Sequence, residues 1–371
     1  MSKIIINTEQ ASYPVIIGES NLSQVPSVLK KYKLFNNLFI VIDENVSKCH
    51  LPSIKSVFSK HDGRIFYEVF PSGEKFKSDI QIKKIYSALL NNKFSRDTTL
   101  IAIGGGVTGD IAGYAAATYM RGIQLVHIPT TLLAMIDSSI GGKTAINFNE
   151  RKNIIGVFYN PKLVFIDTIF LSSLPGRELD SALGELIKYG LLSNKEFYSF
   201  LTKNIAKIKS LNKNVINKTI TESIKIKAGV VSQDEFEKKG IRKILNLGHT
   251  FAHAIESELG FRIKHGEAVA AGIICALFLS TKIGLLSSSR INELLLLAGT
   301  IHFPKIMRNL NNQRIYKAMQ SDKKNVNGKI LFVIISDIGK IVVDVPASKN
   351  DILYSLNKMK DYCLKGKTAR S

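Results

Sequence analysis

"TLIAIGGGVTGDIAGYAAA", residues 99–117, runs from an apolar strand through a glycine turn into a helix of small residues. Gly104, Gly106 and Gly109 stand in G-x-G-x-x-G spacing. Glycines so placed let a backbone approach a pyrophosphate, and a helix N-terminus supplies N–H groups and positive dipole. The bare pattern fits a tight structural turn equally well. The acid that a dinucleotide fold places about 20 residues beyond the loop to hold a ribose is missing. A suitable acid comes earlier instead, Asp43 at the end of "NLFIVID" (37–43). Around the loop, "NLFIVID", "IQLVHIP" (123–129) and "KLVFID" (162–167) alternate with helical stretches, the pattern of an α/β sheet.

After "LPGRE" (174–178) the apolar period changes from 2 to 3.6, with helices expected at 178–192, 213–232, 247–259 and 266–283. A late pair, "KILFVIIS" (329–336) and "KIVVDVP" (340–346), separated by "DIG", reads as a hairpin. The expected architecture is a Rossmann-like α/β domain over 1–176 and a mainly α-helical domain over 177–371.

At 371 residues and 45% hydrophobic content the chain can bury two cores. Three widely separated cysteines, Cys49, Cys275 and Cys363, suggest neither a disulfide framework nor a thiolate zinc site. The N-terminus alternates like a strand and lacks the marks of a signal peptide. The longest apolar run, "AVAAGIICALFL" (268–279), falls short of the roughly 20 residues that span a bilayer. A cytoplasmic protein without membrane association is expected. The net charge of +21 suits anionic metabolites. Lysines are spread along the chain and no nucleic-acid motif accompanies them, so no nucleic-acid partner is expected.

Several charged groups keep apolar company. "TTLLAMIDSSIGGKTAIN" (130–147) sets Asp137 and Lys143 among small residues after a strand; a turn cap and a solvated lysine would also explain them. "SALGELIKYGLL" (181–192) puts Glu185 and Lys188 at i, i+3, the spacing of a simple ion pair. "NLGHTFAHAIE" (246–256) places His249 and His253 one turn apart, and "KHGEAVAAG" (264–272) adds His265. Zinc takes imidazole and carboxylate ligands, three from the protein in catalytic sites. Thr250 follows His249 where a zinc protease has its glutamate, so that chemistry is excluded.

Together "GGGVTGDIAGYAAATYMRG", "IPTTLLAMIDSSIGGKTAIN", "KNIIGVFYNP", "LPGRELDSALGELIKYG", "LNLGHTFAHAIE" and "KHGEAVAAGI" closely resemble the 3-dehydroquinate synthases. That family belongs to the sugar-phosphate cyclases. The resemblance runs in the family's order from about residue 43 to about residue 335. It implies conversion of a phosphorylated sugar acid, 3-deoxy-D-arabino-heptulosonate 7-phosphate, to 3-dehydroquinate and phosphate, the second step of the shikimate pathway. The implied course is transient oxidation by NAD, phosphate elimination, re-reduction and aldol closure. It also implies one divalent metal, zinc or cobalt, and a homodimer. Related alternatives are another sugar-phosphate cyclase or an NAD- and metal-dependent polyol dehydrogenase.

Carried over by position, the resemblance implies Glu185, His249 and His265 as metal ligands, leaving His253 as proton acceptor. Lys188, Asp137 and Glu237 complete its catalytic set, although "DEFEKKGIR" (234–242) is one residue longer than the family spacing. Cofactor positions fall on Asp43, Glu74, Lys77, Gly105, Gly106, Val107 and Asp110. Thr130, Thr131, Lys152, Phe170, Ser173 and Glu178 extend that set, Ser173 replacing the family's usual threonine. Substrate contacts would come from Lys143, Asn153, Lys227, Arg242 and Asn246, with Lys324 from "DKK" (322–324). Arg121 would reach the partner subunit's site.

Overall fold

The computed structural model describes residues 1–149, 151–320 and 329–365, and divides into two units. The first comprises Met1–Pro175 and Leu211–Phe236, the second Gly176–Ser210 and Glu237–Ser371.

The first unit carries strands β1 (Ser2–Asn7), β2 (Ser12–Gly18), β3 (Asn37–Asp43), β4 (Ile65–Phe70), β5 (Thr98–Gly104), β6 (Gln124–Pro129), β7 (Lys143–Phe148), β8 (Arg151–Phe158) and β9 (Leu163–Asp167). Seven form one sheet in the order β1-β2-β9-β6-β5-β3-β4. Only the β1/β2 pair is antiparallel within it. β7 and β8 form a separate antiparallel pair. Central strands such as β5 are buried along their whole length, which is why they read as continuous apolar runs rather than alternating ones.

Strand order reverses beside β3: the chain steps outward to β4, then returns to place β5 on the other side of β3. Helices diverge at such a switch point and leave a crevice at the carboxyl ends of the strands. Asp43 and Gly104 end the two strands that flank it. The Gly106–Thr118 helix follows directly, its Ile111, Ala112, Ala115 and Ala116 packed with Leu100, Ala102 and Leu125.

The Lys213–Gln233 helix also belongs to this unit. Periodicity alone groups 213–232 with the second half. Its buried stripe includes Ile216, Ile220 and Ile224, and it packs on β1, β2 and the turn Ala134–Ser138. A helical period reveals which face is buried but not what covers it.

In the second unit the Gly176–Leu192, His249–Glu258 and His265–Lys282 helices pack together. β10 (Leu331–Asp337) and β11 (Lys340–Pro346) form the expected hairpin, turning through Gly339 at φ +75°. β10 rests on the His265–Lys282 helix. Among the described residues no helix is long and apolar enough to cross a membrane.

Candidate active site

In the first unit Asp43 and the 104–106 glycine loop, both expected to meet a cofactor, lie at the switch point. Gly105 caps the Gly106–Thr118 helix and Gly106 opens it. A β-carbon on Gly105 would lie 3.1 Å from Thr131 Cγ2, and one on Gly106 would lie 3.0 Å from Ser138 Oγ. The bare backbone therefore fills space that side chains would take, leaving N–H groups at a helix start for an anion. Thr130 N donates to Gly104 O at 2.9 Å, tying β6 to the loop. Asp43 accepts from Ser72 Oγ at 2.7 Å and Asn45 N at 2.9 Å, which hold its carboxylate at the end of β3. The loop, helix start and acid fit a dinucleotide.

Lys77 is buried and pairs with both Asp110 and Asn153. Burial raises the Asp110 carboxyl above its ordinary range, and the Lys77 ammonium opposes that rise. Glu74 accepts from Asn147 Nδ2 at 2.8 Å, and Asn147 Oδ1 accepts from Asn153 N at 2.9 Å. One network thus joins Glu74 and Lys77 of the "SGEKFKS" turn to Asp110 and Asn153. Asp137, in the turn Ala134–Ser138, receives Lys227 Nζ at 2.5 Å on its carboxylate and at 2.8 Å on its carbonyl. Asp137 is therefore more than a turn cap. Lys143 opens β7 in an exposed position and Lys152 lies on β8. Phe170 is buried, and Ser173 Oγ meets His50 Nε2 at 2.7 Å. Arg121, with φ +65°, follows Met120 at φ +49°. Consecutive left-handed residues of this kind cost free energy and tend to mark functional turns.

The second unit assembles the histidines. Glu185 and Lys188 are buried one turn apart and ion-paired. Their helix meets the His265–Lys282 helix at paired glycines: a β-carbon on Gly184 would come within 1.9 Å of Gly266 O, and one on Gly266 within 1.6 Å of Ser181 O. Gly248 and Gly272 do the same for the His249–Glu258 helix, where a β-carbon on Gly272 would sit 2.2 Å from Gly248 O. Backbone-to-backbone contact brings three short side chains to one point. Glu185 Oε1 lies 3.5 Å from His249 Nε2 and 3.4 Å from His265 Nε2.

Those separations test the fit to a metal. A tetrahedral ion bound at about 2.0–2.1 Å sets neighbouring ligand atoms about 3.3–3.4 Å apart. The three ligand atoms lie within 4.8 Å of one another, the one such cluster among the described residues. Both Glu185 oxygens are buried without a hydrogen bond of sound geometry. A divalent cation suits that donor set. Each imidazole also turns Nδ1 to a second acceptor, His249 to Leu247 O at 3.2 Å and His265 to Glu256 Oε2 at 3.5 Å. His253 stands outside the cluster, its ring 5.5 Å from that of His249 and 6.4 Å from that of His265.

Burial alone would raise Glu185, but Lys188, then His249 and His265, hold it well below the usual carboxylate range. Burial depresses His249. It also works against charge on His265, but the Glu185 and Glu256 carboxylates on either side of the ring outweigh it and push that imidazole up to about 10. A raised folded-state value stabilises the metal-free protein fully below the unfolded value of about 6.5, and that stability is lost as pH rises toward 10. Chelator-treated protein should therefore show a thermal midpoint that falls over this interval. His265→Gln should flatten the fall; an unaltered slope would contradict the assignment.

Arg242 is fully buried, with Glu237 Oε1 3.7 Å from its Nε, and Glu237 holds φ +59°. Asn246 ends the same short turn, Ile241–Asn246. Glu178 pairs with Lys264. Lys324 lies outside the described residues. Sequence reasoning missed His50, Glu256 and the glycine contacts. Gly184 and Gly272 lie inside apolar helices, where a glycine weakens the helix and so points to a close approach.

Comparison with known proteins places the chain among named enzymes. The 3-dehydroquinate synthase N-terminal family matches residues 67–181, and the C-terminal family of the same enzyme matches 182–325. A 3-dehydroquinate synthase from Shewanella piezotolerans is 40% identical over 340 residues, covering 91% of this chain and 94% of the relative. Among solved structures, 2-deoxy-scyllo-inosose synthase in complex with carbaglucose-6-phosphate, NAD+ and Co2+ is 27% identical. It aligns with a TM-score of 0.87 over 96% of this chain and 99% of its own. A 2-epi-5-epi-valiolone synthase from Streptomyces hygroscopicus subsp. jinggangensis, with NAD+ and Zn2+ bound, is 25% identical and has a TM-score of 0.85. That alignment covers 95% of this chain and 97% of the synthase.

Proposed function

This chain belongs to the 3-dehydroquinate synthase family, and from that premise we propose that it converts 3-deoxy-D-arabino-heptulosonate 7-phosphate to 3-dehydroquinate and phosphate. The observation that carries the reading furthest is the Glu185–His249–His265 cluster with His253 beside it and outside it. When bound, NAD would take up and return a hydride while a zinc or cobalt ion polarises the substrate oxygens at the oxidised carbon.

The chain's own residues do the rest. Glu185, His249 and His265 hold the cation, and His253 receives the hydroxyl proton as that carbon is oxidised. Oxidation acidifies the adjacent C–H, so phosphate can leave, a step an unactivated C–H would not permit. Lys188 and Lys227 offer point charges suited to phosphate, and Arg242 a planar fork suited to the substrate carboxylate. Asp137 orders Lys227 through two hydrogen bonds, Glu237 stands beside Arg242, and Asn246, Asn153 and Lys143 add polar contacts. In this reading 1–176 is the NAD-binding domain and 177–371 carries metal and substrate groups, with Leu211–Phe236 returning Lys227 to the first unit. A cytoplasmic homodimer completes it. Exposed apolar side chains Met120, Phe148, Ile154 and Val157 support a protein contact near Arg121 and along the β7–β8 pair.

The relatives at 40% identity are 3-dehydroquinate synthases, whereas the two cyclases of other specificity stand at 27% and 25%. The discriminating experiment compares phosphate release from the heptulosonate with release from a heptulose phosphate that lacks the carboxylate. The acid should be turned over and the neutral sugar should not; the opposite preference would move the chain to another cyclase activity. Arg242→Ala should lower kcat/KM for the acid by roughly 100-fold or more, the loss of a charged bidentate contact, while NAD affinity stays unchanged. Unaltered steady-state constants would remove Arg242 from the substrate site.

A further inference from the structure

The metal reading leaves one buried carboxylate of the same region without a task. Glu256 lies on the His249–Glu258 helix, is 4% exposed, and directs Oε2 at His265 Nδ1 across 3.5 Å. The opposite ring nitrogen, Nε2, faces Glu185 Oε1 at 3.4 Å. The His265 imidazole is thus clasped between two carboxylates. Its fellow ligand His249 is arranged in the same sense, Nε2 toward Glu185 Oε1 and Nδ1 toward an acceptor, but that acceptor is the neutral Leu247 carbonyl.

We propose that Glu256 is a positioning residue of the metal centre, holding the Nδ1–H of His265 so that Nε2 is presented to the cation. A carboxylate behind an imidazole fixes both tautomer and ring orientation and makes the ligating nitrogen more basic. Burying that carboxylate costs free energy unless it is hydrogen-bonded, and a histidine N–H is a suitable donor. The placement has a structural consequence. The helix that begins with His249 also carries the group that orients His265 on a different helix, so a shift between the two helices disturbs both ligands together. His253 precedes Glu256 by three residues on that helix, which ties the proposed proton acceptor to the same geometry.

The proposal rests on the reading that Glu185, His249 and His265 bind a divalent cation, and the test separates the two. Metal-free wild type, Glu256→Gln and His249→Ala are titrated with Zn2+ or Co2+ against a competing chelator, with thermal unfolding of each metal-free protein recorded alongside. Glu256→Gln keeps the size of the side chain and removes its charge. It should bind metal 10- to 100-fold more weakly than wild type and alter the visible spectrum of the Co2+ form, the metal-free unfolding curve serving to show that the variant is folded. Affinity within about two-fold of wild type would overturn the role of Glu256. If wild type and His249→Ala bind metal equally poorly, the metal reading itself fails. Should Glu256→Gln not fold, Glu256→Asp, which withdraws the carboxylate by one methylene, should show the same weakening to a smaller extent, and wild-type affinity in that variant would again overturn the proposal.

Discussion

His249→Ala should purify without divalent metal and lose turnover by roughly 1,000-fold or more, whereas His253→Ala should keep the metal and lose turnover by roughly 100- to 10,000-fold. The first figure is the scale of removing a cation that stabilises several kcal/mol of developing charge; the second is the ordinary contribution of a positioned general base. The split follows from geometry. His249 Nε2 stands 3.5 Å from Glu185 Oε1 within the three-residue cluster, and His253 is not part of that cluster although its ring lies 5.5 Å from that of His249. Metal analysis of the two purified variants checks the point directly. Equal metal loss in both would mean that His253 is a ligand, and retention in both would mean that the cluster holds no metal.

Gly266→Ala is expected to damage the fold and the metal centre together. Its β-carbon would stand 1.6 Å from Ser181 O and 2.6 Å from Ser181 C, atoms of a helix backbone that no rotamer change can move. Overpacking typically costs 1–3 kcal/mol. Separating two helices belongs at or above the top of that range, about 3 kcal/mol or more, which lowers the thermal midpoint by roughly 6–12 °C for a unit of this size. The same displacement draws His265 away from Glu185, so metal affinity should fall with stability. Gly229→Ala is the control. It lies within the Lys213–Gln233 helix with no atom within 4 Å of the added carbon, so the substitution should be neutral or slightly stabilising. A Gly266→Ala protein as stable as Gly229→Ala would refute the close-contact account.

Strand and helix identity were largely legible because burial leaves a period in the chain. The glycine turn after β5 and the hairpin at Gly339 carry local backbone requirements that a sequence displays. The Lys213–Gln233 helix was legible as a helix but not as part of the first unit, since its apolar stripe names no partner. Site residues divide in the same way. Resemblance brought Glu185, His249 and His265 together across 80 positions of sequence, which spacing alone could not do. Asp137 and Lys227, 90 residues apart, likewise became a pair only in three dimensions. Nothing in the sequence sets Glu256 apart from other helix-end acids; its carboxylate meets His265 only in three dimensions. Gly184 and Gly266 carry no mark in the sequence of what they touch, and only in three dimensions does each lie against the other helix's backbone.

The proposed reaction contains an oxidation that leaves no net oxidation product. The most direct measurement supplies metal-loaded protein with catalytic NAD and the heptulosonate phosphate, and follows free phosphate together with the near-ultraviolet absorbance of reduced cofactor. Phosphate should equal the substrate added, with no lasting NADH. NADH accumulating in step with substrate would make the chain a dehydrogenase, and no phosphate from folded, metallated protein would contradict the proposed reaction.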